Sequence, residues 1–220
     1  MKITVHGLTS YEISKEEFFK LISRDPCGAD ELIVIDVDGL QKTLKEWHEG
    51  FYEINYIEGD MFADVANVVK SCNVIVPHVC NNQGGWGAGF VIPLGKNYPN
   101  AKAQYLHLDA YTLGETQFVE NKVGDNNVVI CNMIAQTLGG SRPLYYNHLA
   151  KCMDAVADYA LRNDIIQIMA PAFGSGLAGG DWDVIKELIN DCWLEKRLFV
   201  DIYYLKGTFT PPFNSKKLNQ

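Results

Sequence analysis

No stretch of the opening residues, MKITVHGLTSYEISKEE, has the apolar core of a secretion signal. No apolar run anywhere in the 220 residues is long enough to cross a bilayer. Basic runs are missing too. The 19 lysines and arginines are scattered, the one Lys-Lys pair lies in the tail, and the net charge is −8. Such a chain repels a phosphate backbone on average, so a nucleic-acid or membrane partner is not expected. Cys27, Cys72, Cys80, Cys131, Cys152 and Cys192 form no Cys-x-x-Cys pair and no metal-spaced cluster with histidine. Reduced, mostly buried thiols in a cytoplasmic protein without a metal are expected. Three signatures of common enzymes are also absent. No Gly-Lys-Ser/Thr follows a glycine loop, no G-x-G-x-x-G sits at the first strand, and no G-x-S-x-G elbow occurs.

The chain does contain a regular alternation of strands and helices. KITVHG and ELIVIDVDG read as strands, Ser14 to Glu17 as a capping box before a short helix, and LQKTLKEWHEG as a helix stopped by Gly50. From residue 52 the rhythm is steadier. FYEINYIEGD, NVIVPHV, NNVVICNMIAQ, IIQIMAPAF and LFVDIYYL read as strands, and MFADVANVVKS, YYNHLAKCMDAVADYALRN and WDVIKELINDCWLEK as helices. Several of these strands are apolar throughout, which predicts a sheet covered by helices on both faces.

Two glycine-rich loops, GGWGAGF (84–90) and FGSGLAGGDW (173–182), directly follow apolar strands. Taken singly, each is equally well a tight strand-to-helix turn. Together they suit a phosphate or diphosphate site. Ligands of open α/β sheets lie at the carboxyl ends of strands, and successive backbone N–H groups form an anion nest without lysines.

Four segments carry a resemblance: IEGDMF, then VIVPHVCNNQGGWGAGFVIPLGKNYPNAKAQY, then VVICNMIAQTLGG, then MAPAFGSGLAGGDWDVI. In this order they resemble a macrodomain, the module that binds ADP-ribose, over roughly residues 52 to 205. The pattern His-x-Cys-Asn (78–81), the loop 85–89 and the Tyr-Pro-x-Ala-x-x-x-Tyr segment (98–105) are most similar to the fungal ADP-ribose 1″-phosphate phosphatase branch. The resemblance implies a three-layer α/β/α macrodomain with a mixed central sheet at 52–207. Residues 1–51 would be an N-terminal α/β extension, and 208–220 a loose tail.

The resemblance also implies roles. Asp60, with Met61 beside it, would contact the adenine end, although an aspartate at a strand end also serves as a helix cap. Asn81, ahead of Asn82, would hold the distal ribose; backbone capping of the loop is the alternative. Gly84, Gly85, Gly87, Ala88 and Gly89 would form the first phosphate loop, with Trp86 as its apolar anchor. Phe173, Gly174, Ser175, Gly176 and Leu177 would form the second. Gln136 would border the distal ribose. His78 is the acid–base candidate, since a histidine near its ordinary pKa exchanges protons near neutral pH; packing is the usual role of a lone histidine.

A related branch removes ADP-ribose from glutamate with a lysine and an aspartate. Lys96 falls near that lysine, but Ala178 stands at the aspartate position and Asp181 comes three residues later. The reading is therefore binding of ADP-ribose and hydrolysis of its 1″-phosphate, with His78 and Asn81 as catalytic residues and no cofactor or metal. The alternatives are release of ADP-ribose from protein or nucleic acid, and a non-catalytic reader of such nucleotides.

Overall fold

The computed structural model describes residues 2–5, 11–12, 34–37, 40–49, 53–140 and 143–212. Its contacts divide the chain into two units, Met1–Glu53 and Ile54–Gln220.

In the first unit, strands β1 (Lys2–Val5), β2 (Tyr11–Glu12), β3 (Val34–Val37) and β4 (Leu40–Thr43) form an antiparallel sheet in the order β2-β1-β3-β4. The helix expected over LQKTLKEWHEG is shorter than its sequence suggested. Leu40 to Thr43 pair instead with β3, so helix α1 runs only over Leu44–Glu49. A reciprocal cap marks the switch: Thr43 N–H donates to Glu46 Oε2 (2.8 Å) and Glu46 N–H to Thr43 Oγ1 (3.1 Å). The capped helix expected after Ser14 and the stop at Gly50 lie outside the described residues.

The second unit holds a six-stranded sheet in the order β5-β10-β9-β6-β8-β7. The strands are β5 (Asn55–Glu58), β6 (Val74–Asn81), β7 (Thr116–Val123), β8 (Asn126–Gln136), β9 (Gln167–Pro171) and β10 (Phe199–Tyr204). Only the edge strand β7 runs antiparallel to its neighbour. It joins β8 through a two-residue turn between Val123 and Asn126, where Gly124 adopts φ +59°.

Both faces of this sheet are covered. Helices α2 (Met61–Val68), α3 (Val91–Asn97) and α4 (Pro99–Leu106) pack on Val74, Val76, Ile130 and Ile134. On the other face, α5 (Tyr146–Arg162), α6 (Trp182–Ile189) and the π-helical turn Asn190–Leu194 pack on Ile75, Val129, Cys131 and Met133. Alternate residues of the same strands thus feed two cores, which is why β6 and β8 read as continuous apolar runs. The three layers are those expected from the sequence.

The tail begins later than expected. Phe209 stacks on Tyr56 (6.1 Å) and meets the Trp182 ring edge-on (4.8 Å), so residues 208 and 209 belong to the packed unit. Residues 213–220 lie outside the described set.

Candidate functional site

A cleft of about 1430 Å³ opens at the carboxyl ends of the parallel strands, where β6, β8, β9 and β10 all finish. Both glycine loops line it, one after β6 and one after β9. The loops face each other across the opening: a methyl group placed on Gly89 would meet Leu177 Cδ1 at 3.4 Å. Gly89 (φ +72°) and Gly174 (φ +76°) hold left-handed turns that a side chain would strain. The N–H groups of Gly87, Ala88 and Gly89 on one loop, and of Gly176 and Leu177 on the other, donate to no group among the described residues. These are the donors an anion would take. Among the described residues that line it, Asp60 is the one carboxylate, and there is neither a lysine nor an arginine.

Most of the expected residues meet here. Asp60, Met61, His78, Asn81, Gly85, Trp86, Gly87, Ala88, Gly89, Gln136, Phe173, Gly174, Ser175, Gly176 and Leu177 all line the cleft; Asn82 and Gly84 do not. Gly84 lies instead against the Tyr111 hydroxyl, and Asn82 Oδ1 is buried without a partner among the described residues. Asp60 is exposed and also caps α2, with Oδ1 accepting from Phe62 N–H at 3.0 Å. Both of its candidate roles are thus geometrically open at once.

Asn81 is committed to the loop. Its Nδ2 donates to Gly85 O (2.7 Å), and its Oδ1 accepts from Gln83 N–H (3.0 Å) and Gly85 N–H (2.9 Å). The carboxamide shapes the first glycine loop from inside, leaving one amide hydrogen for a ligand. Trp86 is 8% exposed and packs on Tyr105 in the core below.

His78 departs from expectation in one respect. It is 2% exposed, set edge-on to Trp86 (5.6 Å) and tilted against Phe90 (5.7 Å). Burial pushes its pKa down to about 4, against smaller opposing effects from its bond to Asn132 and from the Val79 backbone. At neutral pH the ring is uncharged, a weak base rather than one poised near pH 7. Cys80, beside it, is held as a thiol: burial raises its pKa well above the ordinary value.

The lysine–aspartate pair of the related branch is not assembled. Ala178 is buried with its carbonyl accepting from Leu144 N–H, Asp181 caps α6 through Asp183 N–H, and Lys96 is exposed on α3 away from the cleft lining.

Other lining groups were not anticipated. Phe62 and Phe90 stack at 5.6 Å with planes 10° apart, Leu138 to Gly140 follow β8, Tyr203 and Tyr204 end β10, and Leu205 and Phe209 follow it. The strand-end rule that singled out the loops after β6 and β9 applies equally to β8 and β10, and would have found these segments.

Comparison with known proteins places this architecture. A solved macrodomain protein from Streptomyces coelicolor is 33% identical, with a TM-score of 0.56, and the match covers 69% of this chain and 99% of that one. The chain belongs to the macrodomain family. A solved protein from Bacteroides thetaiotaomicron shares 30% identity at a TM-score of 0.60, again over 69% of this chain and 99% of the other. Among curated proteins, the ADP-ribose 1″-phosphate phosphatase of Candida albicans is 27% identical over 151 residues, 63% of this macrodomain chain and 92% of that protein. No family model matches the chain.

No helix among the described residues is long and apolar enough to cross a membrane, and none of their His, Cys, Asp and Glu side chains group as metal ligands.

Proposed function

We propose that this macrodomain binds ADP-ribose in the cleft and hydrolyses its 1″-phosphate ester. The observation that carries the reading is the pair of facing glycine loops with free backbone donors, in a cleft whose lining has no cationic side chain among the described residues. A diphosphate bound there is held by N–H groups fixed before the ligand arrives, which costs little reorganisation. Asp60 marks the adenine end, with its second carboxylate oxygen as acceptor. Asn81 keeps the first loop in shape beside the distal ribose, and His78 lies in the floor beneath it. Similarity to the Candida albicans phosphatase supports the phosphate ester as substrate. The absent lysine–aspartate pair weighs against release of ADP-ribose from glutamate.

In hydrolysis a water oxygen bonds to phosphorus as the bond to the ribose 1″-oxygen breaks, and the water's proton ends on that oxygen. Catalysis in this reading is positioning of the ester plus stabilisation of charge on the phosphate. The reduced, buried thiols of Cys80, Cys131, Cys152 and Cys192 suit a reducing compartment such as the cytoplasm.

The test is incubation with ADP-ribose 1″-phosphate and, separately, with ADP-ribosylated protein. Inorganic phosphate from the first is the expected result. Free ADP-ribose from the second alone would point to the other hydrolase, and binding without either product to a reader.

A further inference from the structure

A row of three polar side chains crosses the sheet beneath the cleft. His78 on β6 pairs in register with Asn132 on β8, and Asn132 with Gln117 on β7. Their side chains share the face that carries α4, because Asn132 alternates with Ile130 and Ile134, which pack there. Gln117 Nε2 donates to the Gln104 carbonyl oxygen on α4 (3.2 Å), Asn132 Nδ2 donates to Gln117 Oε1 (2.8 Å), and Asn132 Oδ1 lies 2.6 Å from His78 Nε2.

The direction of this chain is fixed at its far end. A backbone carbonyl only accepts, so Gln117 must turn its NH₂ toward Gln104 and its oxygen toward Asn132. Asn132 must then present its oxygen to the imidazole, and that oxygen cannot donate. The hydrogen on His78 therefore sits on Nε2, and the lone pair of the neutral ring sits on Nδ1.

We propose that Asn132, backed by Gln117, is a positioning residue that locks His78 in the Nε2–H tautomer, so that Nδ1 is the ring's one proton-accepting nitrogen. This rests on the phosphatase reading for its consequence: Nδ1 accepts the proton of the attacking water and returns it to the departing ribose oxygen, leaving the imidazole neutral again. Asn132 is fully buried, and an amide in that position has no role in an apolar core other than to be matched by its neighbours. Cys80 is a titratable group set against the His78 ring, with its sulfur 3.7 Å from Nδ1 and 3.8 Å from Nε2, and it stays uncharged; the Val79 backbone also acts on the ring.

Two-bond ¹H–¹⁵N spectra of the full chain test the lock directly. At pH 7 the wild type should show the Nε2–H form of His78, and Asn132→Leu and Gln117→Leu should each admit the other tautomer. Phosphate release from ADP-ribose 1″-phosphate should fall at least about tenfold in kcat for Asn132→Leu with KM little changed. Asn132→Asp should restore the tautomer and shift the acid limb of the rate profile upward, because a carboxylate stabilises the imidazolium. If Asn132→Asp does not fold, Gln117→Leu still decides by its spectrum. An Nδ1–H tautomer in the wild type, or an unchanged tautomer in Asn132→Leu, overturns the lock. A wild type with the expected tautomer but no phosphate release overturns the proton-transfer role and the phosphatase reading, and leaves the lock established.

Discussion

Acid should destabilise this protein through His78 in particular. The ring is buried between Trp86, Phe90 and Asn132, and its pKa falls from 6.5 to about 4. The unfolded chain therefore binds the proton more readily than the folded one, and stability rises with pH between these values. The contribution is complete above about pH 6.5 and is lost as pH falls through about 4. Between pH 8 and pH 4.5 the loss comes to about 2.5 kcal/mol, out of a full span of about 3.4 kcal/mol at 1.36 kcal/mol per pKa unit.

Other groups titrate in the same range, so a variant must serve as the control. His78→Gln removes the titration and keeps an amide able to donate toward Asn132 Oδ1. Denaturant unfolding of both proteins at pH 8 and pH 4.5 gives four free energies. Wild type should lose about 2 to 3 kcal/mol more than His78→Gln over this interval. Equal losses would show that His78 protonates in the folded state as easily as in the unfolded chain, and burial would then carry no proton penalty.

The remaining expectations concern the cleft and its loops. Calorimetry should give ADP-ribose a micromolar Kd, roughly −8 kcal/mol, with AMP far weaker because it fills only part of the cleft. A methyl group at Gly176 would meet open space, and the backbone there is not left-handed, so Gly176→Glu should fold with an unchanged melting temperature yet lose ADP-ribose binding by charge against the phosphates. Asp60→Ser keeps a capping oxygen for α2, so stability should hold in a melt, whereas loss of the carboxylate proposed as the adenine acceptor should weaken ADP-ribose by about tenfold or more. Gly180→Ala tests the second loop's packing: its methyl would fall 2.7 Å from Gly174 O and 2.5 Å from Leu144 Cδ2, and a loss of about 1–3 kcal/mol should appear in denaturant unfolding.

The parts of this molecule that were legible in sequence are those with local causes. The apolar runs of β6, β8 and β9 announce a doubly covered sheet, because each strand must feed two cores. The glycines of both loops announce a close backbone approach, since Gly89 and Gly174 occupy conformations with φ +72° and +76°. Where local cause failed, a partner distant in sequence had intervened. Leu40 to Thr43 look helical together with Leu44 to Glu49, and become a strand because β3 lies alongside. Phe209 sits among prolines that suggest a loose tail, and is held by Tyr56, from the far end of the same unit's sequence.

His78 is the sharpest case. Its motif, its strand and its place at the cleft can all be read from HVCN. Its protonation cannot, because that depends on which residues the sheet sets beside it. The β6–β8 register supplies Asn132, the β8–β7 register supplies Gln117, and α4 supplies the carbonyl that orients them both. A histidine in the same motif next to a carboxylate would be an imidazolium donor near neutral pH. Next to an amide whose direction is fixed by a backbone carbonyl, it is a neutral ring with one defined lone pair. The chemistry open to the motif is therefore set by the pairing of three strands, and a shift of β8 by one residue would place Cys131 or Met133 opposite His78 and remove the amide from this face.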